Sequence, residues 1–519
     1  MSEKLSVALR AWTKLLTSKR VVVDESFLDK ESTATFDTHQ RVLAVLKPRS
    51  TKEVAAIVKI AAKYSIPIYP VSGGKNWGLG SKVPERDGVL IDLSLMKKIT
   101  GYDEKMGYIT VQPGVTFRAA VDFLMRKKSS LMLDTIGSTP DATIVGNTAE
   151  RGHGMAMYAD RFNFVCALEV VLPNGKVINT GFGDFKDSAL APLAKWGVGP
   201  YLDGLFTQSN LGIITRLTLW LRAKPQHFTS FIFHVDDEKR LGKVIDVWRQ
   251  LGLEGLQSSL RVFNDMRMIS FGERFPAAEK TPLSEKTRRA MRQKLMIGKW
   301  IGLGGLFPPS EAHAMADQAL IKERIGGLVD RLIFYDQALI DTTYEHADVQ
   351  SKQQMDFMFN KTLLRGNVSE AAINMTYWRK SADVKVNDLH QDKAGVIWYC
   401  PAIPMTSTAA QMTINVCEKV SRKYGFELNL GFLFISERTL DITGALCYDR
   451  EIAGEDKRAM DCHDEIMRVL SAKGYSPYRL GVQSMSLMKN HGRDIRRLMK
   501  TLKSAFDPCD ILAPGHYLL

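Results

Sequence analysis

The sequence predicts an α+β fold built from two parts, and three observations lead to this prediction. Within the first 225 residues, strand-like and helical runs alternate around two glycine-rich segments. After Lys224-Pro225 the pattern changes to longer helices with fewer glycine loops, through about residue 475. The last segment, "FDPCDILAPGHYLL", is again rich in turn residues. We therefore expect the C-terminus to return to the first part and bring the three turn-rich segments together.

The first predicted helix lies in "STKEVAAIVKIAAKYS". Ser50 or Thr51 is a plausible N-cap, Glu53 lies in the first turn, and apolar residues recur every three to four positions up to Ala62. A short strand, Ile66–Tyr69, then leads into the first glycine-rich segment.

Further strands and one more helix are predicted before residue 225. Strand-like runs cover Gly88–Ser94 and Gly107–Val115, and "TFRAAVDFLMRKKS" forms the next helix. A hairpin is expected about the turn Pro173–Gly175, and Gly204–Leu221 ends in a β-rich run.

Composition limits the function classes. The net charge is +13, which would suit an acidic partner, but the Lys and Arg residues are scattered and also fit solvated helix faces. Six cysteines lie far apart without a CxxC pair, so neither a disulfide framework nor a metal site is predicted. The N-terminus lacks a signal peptide's apolar region, and no apolar run approaches the ~20 residues of a membrane span. These observations predict a cytoplasmic protein with no membrane and no nucleic-acid partner.

The stretch "PVSGGKNWGLGS", Pro70–Ser81, contains four glycines after a strand-like run. Glycines cost conformational entropy, so such a cluster indicates backbone amides that approach something closely, and phosphate is the first candidate. The segment matches neither a P-loop nor a Rossmann fingerprint. An ordinary tight loop is the alternative.

A set of segments in order carries a resemblance to a known family. They include "SIPIYPVSGGKNWGLGS", "IVGNTAERGHGMAMYAD", "ALEVVLPNGKVINTGFGDF", "FTQSNLGIITRLTLWL", "GYSPYRL" and "DPCDILAPG". Together they closely resemble the vanillyl-alcohol oxidase and p-cresol methylhydroxylase family of FAD-linked oxidoreductases. The resemblance is dense over residues 46–222 and about 445–515.

The resemblance implies a two-part FAD-binding domain with an inserted cap domain on an antiparallel sheet. The expected boundaries are 1–225 for the FAD-binding domain, 226–477 for the cap, and 478–519 for the C-terminal return. The residues that it implies for FAD binding lie in three segments: Pro70, Ser72, Gly73, Gly74, Lys75, Asn76, Trp77, Gly78, Ser138, Thr139, Val145, Gly146, Asn147, Asn210, Gly212 and Ile214.

Family enzymes hold a para-substituted phenol as phenolate, which eases hydride loss from the benzylic carbon and gives a quinone methide. Tyr478-Arg479 matches the family's anchoring Tyr-Arg pair, and a guanidinium beside a hydroxyl suits an oxyanion. Without the match to the family's motif, the same dipeptide would be interpreted as an ordinary Tyr-Arg pair on the protein surface.

Other candidates for the site lie where this sequence departs from the family. Leu79 occupies the place of a second tyrosine that contacts the phenolate, and "GHGMAMYA" replaces "GVGYTPYG". Tyr158 is retained there, while His153 is new and could be a base, an anchor or a packed side chain. Glu150 matches the family's acid and could act on the flavin or form an internal ion pair.

Covalent attachment of FAD is not expected. The alignment places Val396 where many relatives carry the tethering residue, and valine cannot form that bond. Tyr399, Cys400 or His390 would serve only if the alignment slips.

The sequence therefore predicts an FAD-dependent oxidoreductase with FAD bound non-covalently. Its small-molecule substrate is a para-substituted phenol or aryl alcohol, its electron acceptor is oxygen or a redox protein, and a homodimer is the expected assembly. Leu79 and the altered Gly152–Ala159 stretch favour a second hypothesis, a dehydrogenase or oxidase of a non-phenolic alcohol, hydroxy acid or natural-product intermediate. A basic scaffold or nucleic-acid protein with a degenerate flavin fold is a third.

Overall fold

The computed structural model describes residues 2–386 and 388–518 of the chain. In the described residues no helix is long and apolar enough to cross a membrane. The helices are α1 Glu3–Leu16, α2 Glu25–Glu31, α3 Thr51–Tyr64, α4 Phe117–Arg126, α5 Ile144–Ala149, α6 Glu238–Leu253, α7 Asp265–Gly272, α8 Glu285–Leu295, α9 Glu311–Ile325, α10 Gln337–Thr343, α11 Val349–Met355, α12 Ser407–Lys423, α13 Glu455–Ser471 and α14 Arg493–Phe506.

The strands form four sheets in the part of the chain that is described. They are β1 Val21–Val22, β2 Val42–Leu46, β3 Ile68–Val71, β4 Gly88–Asp92, β5 Ile99–Asp103, β6 Tyr108–Val111, β7 Leu131–Met132, β8 Val165–Val171, β9 Val177–Asn179, β10 Ile213–Trp220, β11 Arg222–Ala223, β12 Thr229–Val235, β13 Ser258–Asn264, β14 Trp300–Leu306, β15 Arg331–Tyr335, β16 Ala394–Tyr399, β17 Ala402–Pro404, β18 Leu430–Phe434 and β19 Thr439–Asp449.

Two sheets of the N-terminal part carry the glycine-rich segments. The first has the order β1-β2-β4-β3, with β4 parallel to both β2 and β3. The second, β5-β6-β10-β8-β9, is antiparallel throughout. Helix α3 begins after Ser50, whose hydroxyl accepts a hydrogen bond from the amide of Glu53, as the sequence predicts. Strand β3 lies two residues later than predicted, because the chain leaves α3 through a left-handed turn at Ser65.

The predicted hairpin about Pro173–Gly175 is confirmed by the antiparallel pairing of β8 with β9. The C-terminal return is also observed. Leu512 forms a bridge with Ile68 of β3, and the buried Lys503 donates to the carbonyls of Asn210 and Leu512. Backbone of the last segment therefore extends the first sheet, which places residues 506–518 beside the glycine loop.

The third sheet is large and antiparallel, with the order β15-β12-β14-β13-β18-β19-β16 and with β17 paired to β19. Its strands alternate between two faces. One face, including Phe231, Val262 and Phe432, packs against α6, α12 and α13 in a hydrophobic core.

The opposite face turns toward the N-terminal part and carries Arg261, Trp398, Leu433, Asp441 and Thr443. This architecture confirms the predicted α+β fold with a cap built on an antiparallel sheet, while the exact domain boundaries stay a prediction.

Candidate active site

A cavity of about 520 Å³ lies between the N-terminal part and the inner face of the cap sheet. Its volume falls within the range of small-molecule and cofactor sites. The glycine loop after β3, the segment around α5, the start of β10 and the C-terminal return form one side of the wall. Strands β13, β14, β16, β18 and β19 contribute the other side.

The glycine loop approaches the cavity with its backbone. Gly74 has a φ of +64°, and a Cβ there would collide with the side chain of Lys82. A side chain at Gly74 would therefore be strained and would clash with the folded-back loop, whereas glycine leaves the amides accessible. Successive amides in such a turn form a concave site for an anion.

The second glycine-rich segment meets the first through a hydroxyl pair. Thr143 caps α5, and its Oγ1 lies 2.6 Å from Oγ of Ser72. A Cβ at Gly146 would collide with that Ser72 Oγ, so only glycine lets the two segments touch. The hydroxyl pair joins residues 71 positions apart in sequence, and the two segments thus form one continuous wall.

Most residues predicted to bind FAD line this cavity. They are Pro70, Ser72, Gly73, Gly74, Lys75, Asn76, Trp77, Ser138, Val145, Gly146, Asn147, Asn210, Gly212 and Ile214. Asn210 also has a buried Oδ1 with no hydrogen-bond partner among the described residues, although its amide nitrogen donates to the carbonyls of Ala513 and Leu518. A glycine-built cradle and an orphaned polar atom on one cavity wall fit a dinucleotide cofactor.

The structure places Gly78 and Thr139 outside the cavity wall. The amide of Gly78 donates to Oγ1 of Thr35, and a Cβ at Gly78 would meet the ring of Trp398, so this glycine serves the contact between loop and cap. Thr139 is buried, and its hydroxyl accepts a hydrogen bond from the amide of Asp141. It therefore stabilises the turn of this segment and does not line the cavity.

Tyr478 and Arg479 both line the cavity, next to the glycine loop. Arg479 donates from Nη2 to Oδ1 of Asn76 at 2.7 Å. The amide of Tyr478 donates to the carbonyl of Cys400, and its carbonyl accepts from the side chain of Gln208. Burial raises the pKa of Tyr478 well above its usual value, which outweighs the opposing charge of Arg479. Its hydroxyl therefore stays protonated, and its side-chain hydrogen-bond partner is the thiol of Cys400 on the cavity wall.

His153 lies beside Tyr478 in the same wall. Its ring centroid is 4.9 Å from that of Tyr478, and its Nε2 lies 2.6 Å from Oδ2 of Asp441 on β19. The other ring nitrogen, Nδ1, is buried without a hydrogen-bond partner in the described part of the chain. The next residue, Gly154, accepts a hydrogen bond from Arg261 of β13. His153 is thus clamped between the N-terminal part and the cap sheet.

Glu150 takes part in a charged cluster at the C-terminal return. His516 lies 2.5 Å from Glu85 through Nδ1 and 3.2 Å from Glu150 through Nε2, and Tyr517 donates to Glu150. Burial alone would raise the pKa of Glu150, but the hydrogen bond and charge of His516 hold it below its usual value. Burial alone would lower the pKa of His516, yet the two carboxylates raise it well above its usual range.

Tyr158 does not reach the cavity. Its ring instead stacks on that of Phe164, with the ring centroids 3.6 Å apart. Leu79, by contrast, lines the cavity and is 8% exposed, and Met155 lies on the same wall. Apolar side chains therefore line the wall at positions where the sequence departs from the hydroxyl-bearing residues of the family, as predicted from the sequence.

The candidates for covalent attachment are separated by strand alternation. Val396 is fully buried in β16, and Tyr399 points into the core on the helix side of the sheet. His390 is not part of the cavity wall, whereas Cys400 is. Burial raises the pKa of the Cys400 thiol to about 11, so it is a poor nucleophile near neutral pH. Non-covalent binding stays a prediction.

Four residues of the site were not predicted from the sequence: Arg261, Arg267, Asp441 and His516. Arg261 and Asp441 lie on β-strands, where a charged residue alternating with apolar ones normally faces solvent, and Arg267 lies on helix α7. Here the N-terminal part covers the inner face of the cap sheet, which is the face opposite the helices, so these side chains are buried. His516 lies in the turn-rich C-terminal segment, and this position was the only feature of the sequence that pointed to a place near the site.

Comparisons with known proteins agree with this geometry. A family model described as an FAD binding domain matches residues 42–181, which contain the glycine loop and α5. The chain is 39% identical over 528 aligned residues to 1'-carboxy-chondrochloren decarboxylase of Chondromyces crocatus, covering 99% of this chain and 98% of the relative.

A second relative is the flavoprotein subunit of 4-cresol dehydrogenase (hydroxylating) from Pseudomonas putida, 28% identical over 91% of this chain and 87% of the relative. The crystal structure of p-cresol methylhydroxylase with substrate bound superposes with a TM-score of 0.90 at 26% identity, covering 100% of this chain and 98% of that one. The cofactor cradle, the cap sheet and these full-length similarities lead to one conclusion. The chain belongs to the vanillyl-alcohol oxidase and p-cresol methylhydroxylase family of FAD-dependent oxidoreductases.

Proposed function

We propose that the protein removes hydride from the benzylic carbon of a para-substituted phenol or aryl alcohol, with Tyr478 and Arg479 holding the phenolate oxygen. The observation that carries this proposal is the position of the pair, which lines the cavity while Arg479 is hydrogen-bonded to Asn76 of the glycine loop. Substrate anchor and cofactor cradle are therefore joined by one hydrogen bond.

The electrostatics of the pair support a phenolate. Tyr478 remains a neutral donor because burial raises its pKa, and Arg479 next to it supplies a guanidinium with several donors. A hydroxyl donor and a cation aimed at one oxygen stabilise negative charge in a water-poor site. Electron density from the phenolate then reaches the para carbon substituent and makes the loss of hydride easier, which gives a quinone methide.

FAD fits the cradle described above, with the amides after β3 near its pyrophosphate, and when bound it would accept the hydride. Oxygen or a redox protein is the proposed electron acceptor, and a homodimer is the proposed assembly. His153 and Asp441 would keep the Tyr478 ring in place, because the imidazole beside it is tied to the cap by its carboxylate partner.

Anaerobic reduction of the FAD-loaded protein tests the proposal. Para-ethylphenol is expected to bleach the flavin absorbance of the wild type, and Tyr478→Phe is expected to slow this by at least about tenfold, the usual effect of losing one donor to an oxyanion. Tyr335→Phe is the control, because Tyr335 is buried in the cap away from the cavity wall. No bleaching by phenols or aryl alcohols in the wild type would refute the proposal.

Oxidative decarboxylation of a phenolic natural-product acid is the second candidate function. It is favoured by the full-length similarity to a decarboxylase and by Leu79 and Met155 in the cavity wall. In such a reaction, hydride leaves the benzylic carbon and the phenolic proton is lost, which gives the quinone methide. The bond from the adjacent carbon to the carboxylate then breaks, its electron pair forms the new C=C bond, the ring returns to phenolate and CO2 leaves.

Product analysis separates the two candidates. With para-hydroxyphenylpropionate, decarboxylation would release CO2 and a para-hydroxystyrene in equal amounts, one for each flavin reduced. Simple benzylic oxidation would instead retain the carboxylate in the product. Flavin reduction without CO2 would therefore contradict the second candidate and leave the first in place.

A further inference from the structure

Two buried arginines face the cavity from the cap. Arg261 of β13 is 1% exposed and Arg267 of α7 is 4% exposed, and both line the cavity. Among the described residues, neither has a carboxylate within ion-pair distance. Two other cations of the same wall are paired, Lys82 with Glu31 and His516 with Glu85 and Glu150. The charges of Asp134 and Asp441 partly compensate that of Arg261. No carboxylate of the described residues compensates Arg267, whose charge faces the cavity.

Two hydrogen bonds hold the side chain of Arg267 in place, and one of its three nitrogens is left without a partner among the described residues. Its Nε donates to the side-chain oxygen of Asn429, and its Nη2 donates to the carbonyl of Thr443 at 2.5 Å. Its guanidinium lies 5.6 Å from the centroid of Phe263 and 5.1 Å from that of Trp398. Nη1 has no hydrogen bond to any residue that the structure describes.

Arg261 lies two residues from Phe263 on the same face of β13. Its Nη1 and Nη2 donate to the carbonyls of Leu260 and Gly154, and its Nε is buried without a partner in the described ranges. Burial lowers the pKa of Arg261 and of Arg267 to about 10, which reflects the free-energy cost of keeping each charge out of water. An anion beside Arg267 would offset part of that cost.

The cap side of the cavity wall also carries several apolar and aromatic side chains. It includes Phe263, Phe271, Leu303, Met375 and Leu433. Such a wall accepts the hydrocarbon body of a ligand, while Arg267 accepts its charged end. A phosphate group is better matched by the amides of the glycine loop, on the opposite side of the cavity.

We propose that Arg267 forms a subsite for a substrate carboxylate, so that the preferred substrates are para-hydroxyaryl acids rather than neutral phenols. This inference rests on the proposed function, in which Tyr478 and Arg479 hold the phenolate at the other end. The ion pair orients the acid and does not by itself drive the loss of CO2, because it stabilises the carboxylate before reaction.

Binding of two isosteric ligands to the FAD-loaded wild type tests the subsite. Para-hydroxyphenylpropionate and its amide differ in charge but hardly in shape, and their binding is followed by perturbation of the flavin spectrum. A charge-assisted hydrogen bond contributes enough to predict binding of the acid about 10- to 100-fold tighter than the amide. Equal affinities in the wild type would overturn the inference, and this comparison needs no variant.

Variants give a second, independent test. Arg267→Gln is expected to reduce the preference for the acid to less than about threefold, and Arg267→Lys to retain part of it. Arg365→Gln is the matched control, since Arg365 of the cap also lies over an aromatic ring, 4.8 Å from the centroid of Phe359, but outside the cavity wall. A preference for the acid that persists in Arg267→Gln, with FAD content unchanged, would overturn the inference.

The two proposals fail in distinguishable ways. If para-ethylphenol bleaches the flavin but the acid has no advantage over the amide, the subsite is wrong and the proposed function stands. If the acid binds preferentially and the preference depends on Arg267, yet no phenol bleaches the flavin, the subsite stands and the proposed function is wrong.

Discussion

The imidazole Nε2 of His153 lies 2.6 Å from the carboxylate Oδ2 of Asp441, although the two residues are 288 positions apart in sequence. His153 belongs to the segment after α5 and Asp441 to strand β19 of the cap. Their contact joins the two walls of the cavity at the level of Tyr478, whose ring lies against the imidazole. This pair is thus one of the contacts that hold the two walls together beside Tyr478.

Removing Asp441 is expected to destabilise the protein. In Asp441→Ala, both ring nitrogens of His153 would lack a partner, and an unsatisfied buried polar group costs about 1–3 kcal/mol. Asp441→Asn is the matched control, because it keeps an oxygen acceptor at the same place and is expected to lose less. Urea unfolding measures both changes, and equal stability of Asp441→Ala and wild type would contradict the prediction.

Restoring a hydroxyl at position 79 is expected to favour simple phenols. Leu79 lines the cavity where the family resemblance leads us to expect a tyrosine that contacts the phenolate. Leu79→Tyr would add a donor, so flavin reduction by para-ethylphenol should become roughly tenfold faster. Leu79→Phe adds the same bulk without the hydroxyl and controls for overpacking. If both variants change the rate equally, the hydroxyl is not responsible.

Acid precipitation is expected to release FAD into the supernatant. Val396 offers no tethering atom and is fully buried, while Tyr399 points into the hydrophobic core of the cap. Of the three alternative tethering residues, Tyr399, Cys400 and His390, only Cys400 lines the cavity. Yellow colour that stays in the pellet would contradict the prediction, and its release by Cys400→Ser would then identify the tether.

The cluster of His516 with Glu85 and Glu150 predicts a specific pH dependence of stability. The pKa of His516 is raised, so its contribution is full below the usual histidine pKa and is lost as pH rises through the raised value. The pKa of Glu150 is lowered, so its contribution is present above the usual glutamate pKa and is lost as pH falls through the lowered value. The stabilisation is therefore greatest between about pH 4.3 and 6.5.

Urea unfolding across pH measures this effect as the difference between wild type and His516→Asn. The difference in free energy of unfolding should be largest near the middle of that window and should shrink toward alkaline pH. His39→Asn is the control, because His39 is exposed. A difference that stays constant up to alkaline pH would mean that His516 is not held in its charged form.

Features that depend on a short stretch of chain could be predicted from the sequence. The Ser50 cap of α3, the glycine loop after β3 and the hairpin of β8 and β9 each follow from a few neighbouring residues. The family resemblance added the cap, FAD and the Tyr478-Arg479 anchor. Tyr158, Gly78 and Thr139 were assigned from the same motifs, but a motif does not determine which side of a turn a side chain takes.

The sequence by itself determined the α+β fold class through its local conformational preferences, and its resemblance to the family, carried by the order of the motifs, implied the cofactor cradle and the anchoring pair. Only the tertiary structure decided which charges face the cavity. Arg261 and Asp441 alternate with core residues on strands of the cap and would face water in an isolated sheet. They are buried because the N-terminal part covers that face, and such a contact between distant segments leaves no periodic signal in the chain.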